Sequence, residues 1–347
     1  MLSSAKTLHL LPATGRFYKA NLHTHTVVSD GSRTPEQMRD HYRDHGYQIV
    51  AFTDHDLCLA HPQLRTEDFL PLNGYEMSIH SAIPCLDWNK VCHLSYLSKQ
   101  ADQTAMVCHD RRFFLRAGNA YKYEDQMKVL TEEQRVYSQE FIQHAIEEGN
   151  KHGFLVILNH PVWSMQTYEE YAHLKGLWGI EIYNHGSAII GSGDNNDRAF
   201  EDMLWQGEFP IPVAADDSHS EKYSLGGWMM ICAEALEYDA VIRAMEKGDL
   251  YASTGPEIHR LTVEDGQLCI ETSPCQRIYL LTETRYCARV VAQDEPLTEG
   301  KIDLTRWYEK VRERSAENAY IRIRVEDGQG HCAYTRAYRA EELAEAF

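Results

Sequence analysis

Four short apolar runs in the first two-thirds of the chain each stop at a cluster of polar residues, and helix-like stretches lie between them. Tyr47-Gln48-Ile49-Val50-Ala51-Phe52 ends at Thr53-Asp54-His55-Asp56, and Phe154-Leu155-Val156-Ile157-Leu158 ends at Asn159-His160-Pro161. Gly179-Ile180-Glu181-Ile182-Tyr183 ends at Asn184-His185, and Ile211-Pro212-Val213-Ala214-Ala215 ends at Asp216-Asp217-Ser218-His219. Short apolar runs bounded in this way read as buried strands. Thr34-Pro35-Glu36 reads as a helix start, with a capping threonine and a proline in the first turn. A second amphipathic stretch covers about 132–151. Strands alternating with helices imply parallel βα units, and therefore an α/β barrel or a doubly wound sheet. In both folds the C-terminal ends of the strands carry the site.

The 347 residues suggest two domains. After Gly255-Pro256 the pattern changes: 263–281 and 320–338 read as strands, with turn signals at Asp265-Gly266 and Asp327-Gly328, and 304–314 reads as helical. The expected division is 1–255, bearing the site, and 256–347, a β-sandwich-like accessory domain without ligand spacing. Residues 99–137, rich in Arg, Lys, Gln and Tyr, break the rhythm. They are either an insertion forming a lid over the site or one more pair of surface helices.

Charge and cysteine usage exclude several classes. Lysine and arginine total 34 against 52 acidic residues, a net charge of −18, which disfavours nucleic-acid backbones and anionic membranes as partners. No stretch has the roughly 20 apolar residues of a membrane helix. The first 17 residues include Lys6 but no uninterrupted apolar core, so no secretion signal is expected. Nine scattered cysteines (58, 85, 92, 108, 232, 269, 275, 287 and 332) include no Cys-x-x-Cys, which suits reduced thiols and a cytoplasmic location. The oligomeric state is left open.

The 18 histidines gain meaning from their placement. Asn21-Leu22-His23-Thr24-His25-Thr26 puts two imidazoles on one face of an extended segment, with Asp30-Gly31 in the loop beyond. With the later strand ends the set becomes His23, His25, Asp30, His55, Glu76, His93, His160, Asp217 and His219. Such nitrogen and oxygen donors suit Zn²⁺, Mn²⁺ or Fe²⁺. They are too many for one tetrahedral ion and fit two or three divalent ions sharing a carboxylate. Glu76 is the best bridge, being the one carboxylate without a nearby histidine in sequence. Bland alternatives exist for several residues. Asp30 could hold a turn with Gly31; Asp54 or Asp56 could orient His55; Asp216 is either a support for the cluster or a surface charge. Asn184 and His185 either touch substrate or cap a helix. Trp163, Trp178, Trp205 and Trp228 read as core.

The ordered motifs His-Thr-His…Ser-Asp-Gly, Thr-Asp-His, Gly-x-Glu, Asn-His-Pro and Asp-Ser-His resemble those of the PHP (polymerase and histidinol phosphatase) superfamily, over residues 18–254. The resemblance implies a distorted seven-stranded (β/α) barrel with a di- or trinuclear metal cluster at its mouth. It implies metal ligation by the nine residues above, with Glu76 bridging and His80 a rival to His93. Tyr251-Ala252-Ser253-Thr254-Gly255-Pro256 and the β-rich tail are similar to stand-alone metal-dependent phosphoesterases related to carbaryl-type carbamate hydrolases. The 99–137 segment matches no motif of the family.

The expected activity is metal-dependent hydrolysis of a phosphomonoester or cyclic phosphodiester of a small molecule by a metal-bridging hydroxide. His219, Asp56 and His185 are candidates for protonating the leaving group. Arg111, Arg112, Arg116, Lys122, Asn184 and Lys222 are candidates for holding substrate. The rivals are carbamate or ester hydrolysis at the same centre and a non-catalytic metal-binding regulatory module. Basic residues in the pocket favour the phosphoester; an aromatic pocket containing Trp163 and Tyr183 favours the carbamate.

Overall fold

A computed structural model describes residues 7–82, 89–193 and 196–347. Lys6 and Cys85 lie outside the described residues. The four apolar runs form strands, and three more join them, giving β1 (Arg16–Asn21), β2 (Ile49–Phe52), β3 (Leu70–His80), β4 (Val91–Ser98), β5 (Phe154–Asn159), β6 (Gly179–Asn184) and β7 (Ile211–Ala215), of which β2, β5, β6 and β7 are the apolar runs. Their spatial order runs unbroken from β7 through β6, β5, β4, β3 and β2 to β1. Every residue of β2, β4, β5 and β7 is buried, as expected for strands covered on both faces.

The chain is mixed α/β, with one departure from simple βα repetition. β1, β2 and β3 pair in parallel, as do β5, β6 and β7, but β4 is antiparallel to both β3 and β5. No helix lies between β3 and β4 among the described residues. The two ends of this run meet at one parallel bridge, Thr24 to Ser218, where His25 N–H donates to the Ser218 carbonyl at 3.0 Å. β1 and β7 share no ladder among the described residues, so the pairing shows a mixed sheet whose ends touch at the strand tips.

The helix signals have local causes. α1 (Pro35–Asp44) begins with a capping box, in which the Thr34 side chain accepts from Gln37 N–H and the Gln37 side chain accepts from Thr34 N–H. α2 (Gln139–Lys151) starts later than its amphipathic pattern because Ser138 caps it, accepting from Phe141 N–H. The freed residues 131–137 form the segment that brings Arg135 to the site. α3 (Asp197–Trp205) and α4 (Tyr238–Lys247) lie outside the strands and bury apolar faces. No helix among the described residues is long and apolar enough to cross a membrane.

β8 (Trp228–Ala233) and β9 (Leu250–Ser253) continue the large sheet beyond β1, antiparallel. β9 then pairs with Cys332–Thr335, so the ladder passes directly into the C-terminal region. A separate four-stranded sheet holds Thr7–His9, Ile258–Glu264, Gln267–Cys275 and Leu297–Asp303. Side chains from both sheets, including Leu261, Ile270, Ile278 and Ile323, share one apolar cluster. The segment Thr305–Arg314 is helical, as its sequence indicates.

Arg322 ties this region to α3. It is 2% exposed, donates to Glu201 at 2.6 Å and to Asp197 at 3.1 Å, and lies over the Phe200 ring. Removing one partner of a buried ion pair costs more than the pair contributes, because the remaining charges stay poorly solvated. Arg322→Ala should lower the unfolding free energy by about 2–3 kcal/mol, measured as a shift in the urea midpoint at unchanged slope.

Candidate metal centre

The nine expected ligands come together where the strand ends converge. His23 and His25 follow β1 in extended chain held by the bridge at Thr24. Asp54 shapes the next loop, accepting from Thr26 N–H at 2.7 Å, the Thr26 hydroxyl at 2.8 Å, Ser29 N–H at 3.1 Å and the Ser29 hydroxyl at 2.7 Å. That loop swings Asp30 back over His25. A Cβ on Gly31 would lie 2.4 Å from the His25 carbonyl oxygen, so the Asp-Gly pair reflects close approach. Asp56, His160 and Asp217 all have positive φ (52°, 28° and 53°), a conformation costly for most residues other than glycine.

Glu76, 1% exposed, is the hub. Its Oε1 lies 3.0 Å from His93 Nδ1, 3.3 Å from His23 Nε2 and 3.4 Å from His160 Nε2. Its Oε2 lies 3.1 Å from His55 Nδ1 and 3.4 Å from His25 Nε2. The two oxygens therefore face different imidazoles, as a bridging carboxylate requires. Asp217 Oδ1 lies 3.2 Å from His25, 3.3 Å from His23 and 3.4 Å from His219. Asp30 Oδ2 lies 3.4 Å from His219 and 3.8 Å from His55. Overlapping donor groups result: His25/Asp30/His55/His219, His23/His25/Glu76 and Glu76/His93/His160, each with ligand atoms within 4.8 Å of one another. His80, the rival to His93, instead packs on Phe113 with ring centroids 5.5 Å apart.

The electrostatics call for cations. Burial works against charge on His23, yet Asp217, Glu76 and Glu181 together raise it well above the usual imidazole range. His25 is likewise pushed up to about 10 against its burial, by hydrogen bonds to Asp217 and Glu76. Burial takes His55 the other way, to about 3, with His25 and His93 adding to the effect. Burial opposes ionisation of Glu76 and Asp217 too, but the surrounding imidazoles hold both carboxyls well below their usual range. His25 Nδ1, His55 Nδ1 and His93 Nδ1 are buried and make no hydrogen bond. Buried polar atoms seldom lack partners, and lone pairs converging on carboxylate oxygens are the donor set of divalent ions. The residues fit such ions.

Several supporting residues escaped the sequence reading. Glu181, 1% exposed, accepts from His160 N–H and Asn184 Nδ2, both at 2.9 Å, and its Oε1 lies 2.6 Å from His23 Nδ1. A carboxylate in the middle of the apolar run Gly-Ile-Glu-Ile was the available signal. Asn159 donates to Glu76 at 2.6 Å. Arg135, 2% exposed, donates to Asp56 at 2.5 Å and to the Ser78 carbonyl at 3.0 Å. Neither Asp54 nor Asp56 orients His55: the first shapes the loop and the second pairs with Arg135. Asp216 accepts from the backbone N–H groups of Leu225, Gly226 and Gly227 and from the Tyr42 hydroxyl. It thus anchors a loop.

A cavity of about 1110 Å³ opens over Asp30, His55 and His93. Asp56 and Arg116 line it, with Phe113, Ala117 and Gly118 from the 99–137 segment. That segment is pinned to the Asp30 loop, where Asn119 N–H donates to the Ser29 carbonyl at 2.8 Å. The other proposed substrate residues lie elsewhere. Arg111 pairs with Glu124 at the surface, Arg112 grips its neighbour Asp110, and Lys122 donates to Asn119. Lys222 lies beside the Tyr223 ring in a separate recess with Arg33 and Glu221. Asn184 is buried against Glu181 and caps the short helix His185–Ile189. His185 sits 3.0 Å from the Tyr183 hydroxyl and packs on Gly226, not among the cavity-lining residues. Trp163 and Trp205, read as core, are exposed by 36% and 52%.

No protein-family model matches the chain, and no curated protein matches it. Among solved structures it is similar to a two-domain Bacteroides vulgatus protein containing a predicted PHP-like metal-dependent phosphoesterase, at 14% identity and TM-score 0.44, covering 95% of this chain and 98% of that one. A Bifidobacterium adolescentis protein described as a metal-dependent phosphoesterase aligns at 16% identity and TM-score 0.36, over 68% of this chain and 96% of that one. A Chromobacterium violaceum amidohydrolase with bound sulfate and no metal aligns at 16% identity and TM-score 0.33, over 58% and 88%. At these scores the functional reading rests on the side chains themselves.

Glu181 lies 2.6 Å from His23 Nδ1, accepts from His160 N–H and forms a further candidate donor group with those two histidines, so its loss acts on metal affinity. Glu181→Gln should weaken divalent-ion binding about 10–100-fold, read by chelator competition, while His23→Ala should lower the bound stoichiometry itself. An unchanged stoichiometry in His23→Ala would contradict the ligand assignment.

Proposed function

We propose that this chain is a metal-dependent hydrolase that cleaves a phosphomonoester or cyclic phosphodiester of a small molecule. The carrying observation is Glu76, whose two oxygens face separate imidazole groups, so that it would be shared by the groups holding adjacent cations. Adjacent cations suit a phosphoryl group, which offers several non-bridging oxygens at once. We further infer two or three ions of the Mn²⁺, Zn²⁺ or Fe²⁺ type, and a distorted barrel of β1–β7 as their support. The region from 256 onward is read as an accessory structural domain joined to the first through the large sheet.

His23, His25, Asp30, His55, Glu76, His93, His160, Asp217 and His219 would hold the ions, oriented by Glu181 and Asn159. Bound divalent ions supply Lewis acidity and bring the pKa of water toward neutrality. Glu76 and Asp217 keep the imidazoles aimed at one volume, and Arg116 gives the cavity a positive wall for an anionic substrate. Of the candidates for protonating the leaving group, Asp56 lines the cavity, fixed by Arg135, and His219 borders Asp30. His185, turned toward Tyr183, takes no part. The net charge of −18 keeps polyanions away while the ions set the local sign. The eight described cysteines are free, which fits a reducing cytoplasm.

Carbamate or ester hydrolysis is the second reading, favoured by Trp163 on the cavity wall. Tyr183, the other aromatic that reading invoked, is not among the lining residues. Mn²⁺-loaded protein assayed on phosphomonoesters, cyclic phosphates and aryl carbamates separates the readings. Turnover of a phosphate ester, lost in His23→Ala, is expected. Turnover of carbamates alone would favour the second reading, and none at all at full metal occupancy would leave a non-catalytic metal module.

A further inference from the structure

The turn after β5 serves two surfaces at once. Inside it, the Ser164 hydroxyl lies 3.1 Å from His160 Nδ1 and Ser164 N–H donates to the His160 carbonyl at 3.0 Å. Outside it, Val162, Trp163 and Met165 point away from the core, exposed by 48%, 36% and 48%. Met165 holds a left-handed φ of 59°, closing the turn with its N–H on the Val162 carbonyl. The loop after His185–Ile189 packs alongside: a Cβ on Gly193 would lie 2.6 Å from Val162. It adds Ile190, 54% exposed, to the same cavity wall. The Trp163 ring is 4.8 Å from that of His160 and 5.8 Å from that of His93, centroid to centroid. An exposed apolar surface therefore stands at a fixed place beside the candidate ions. Isolated exposed apolar residues are ordinary, but a contiguous group rimming a cavity marks a binding surface.

Resting on the phosphoester reading, we propose that the substrate carries an apolar, ring-sized group on the alcohol side of the cleaved bond, seated on Trp163, Met165 and Ile190. The phosphoryl side presents only oxygens and belongs to the ions and Arg116. The alcohol is the part left to meet the apolar wall, and the contact of Trp163 with His93 and His160 puts it within one ring of the reacting centre.

Benzyl phosphate and methyl phosphate, whose alcohols differ little in acidity, separate apolar contact from leaving-group chemistry. With Mn²⁺-loaded enzyme, kcat/KM should favour benzyl phosphate by about tenfold or more, the gain from burying a ring. That ratio should fall toward one in Trp163→Ala and in the rim variant Ile190→Ser. Turnover of both esters at equal kcat/KM overturns this inference and leaves the phosphoester reading standing. A ratio unchanged in both variants also overturns it. Turnover of neither ester and of no cyclic phosphate at full metal occupancy removes the phosphoester reading, and this inference with it.

Discussion

A carboxylate buried at the meeting point of the strand ends imposes the main constraint on this molecule. Glu76 is 1% exposed, and an ionised carboxyl there is tolerable only with positive charge or strong donors on every side. Asn159 supplies one donor and five imidazoles, on His23, His25, His55, His93 and His160, stand within 3.4 Å. Those imidazoles come from four strands, with His23 and His25 both following β1. The bridge that joins Thr24 to Ser218 and the hairpin that turns β4 against β3 both bring ligands to Glu76. The strained backbone at His160 and Asp217 fits the same account, because close convergence leaves little freedom in how each residue arrives.

Much of this was legible in the sequence. Apolar runs that end in polar clusters place the ligands without any three-dimensional information, since buried strands have a strong hydrophobic signature and strand ends have a known side. The convergence of these nine residues was readable because histidine and carboxylate at strand ends have few other reasons to recur. The substrate residues were harder to read. Arg111, Arg112 and Lys122 carry charge near the site, but each is claimed by an acidic or amide partner within the same 99–137 segment. Arg135 is the reverse case, an ordinary arginine on a supposed helix that reaches Asp56 across 79 residues of sequence. Such long-range pairing leaves no local pattern. β4 was missed as an antiparallel strand because its residues, Val-Cys-His-Leu-Ser-Tyr-Leu-Ser, are too polar to read as a buried run, yet all are buried.

The 99–137 segment shows how a stretch without regular periodicity can be well fixed. Its elements are short: a two-residue strand pair, a four-residue helix and a 3-10 turn. It is held instead at separate points, by Asn119 on Ser29, by Val107 N–H on the Tyr75 hydroxyl and by Arg135 on Asp56. Two of those anchors lie beside ligands, on the Asp30 loop and next to His55. The cavity wall and the ligand loops are thus one mechanical unit, although the sequence between them is remote.

The passage of the large sheet from β9 into Cys332–Thr335 bears on how separable the two halves of the chain are. All four residues of β9 are buried, and one of its edges is satisfied only by the far end of the chain. Cutting the polypeptide near residue 255 would leave that edge with bare N–H and C=O groups and newly exposed apolar side chains, the template on which strands of other molecules stack. The half that carries the candidate metal centre, expressed alone, would therefore face a problem of solubility before any problem of chemistry, and the tail would matter as the cover of an edge.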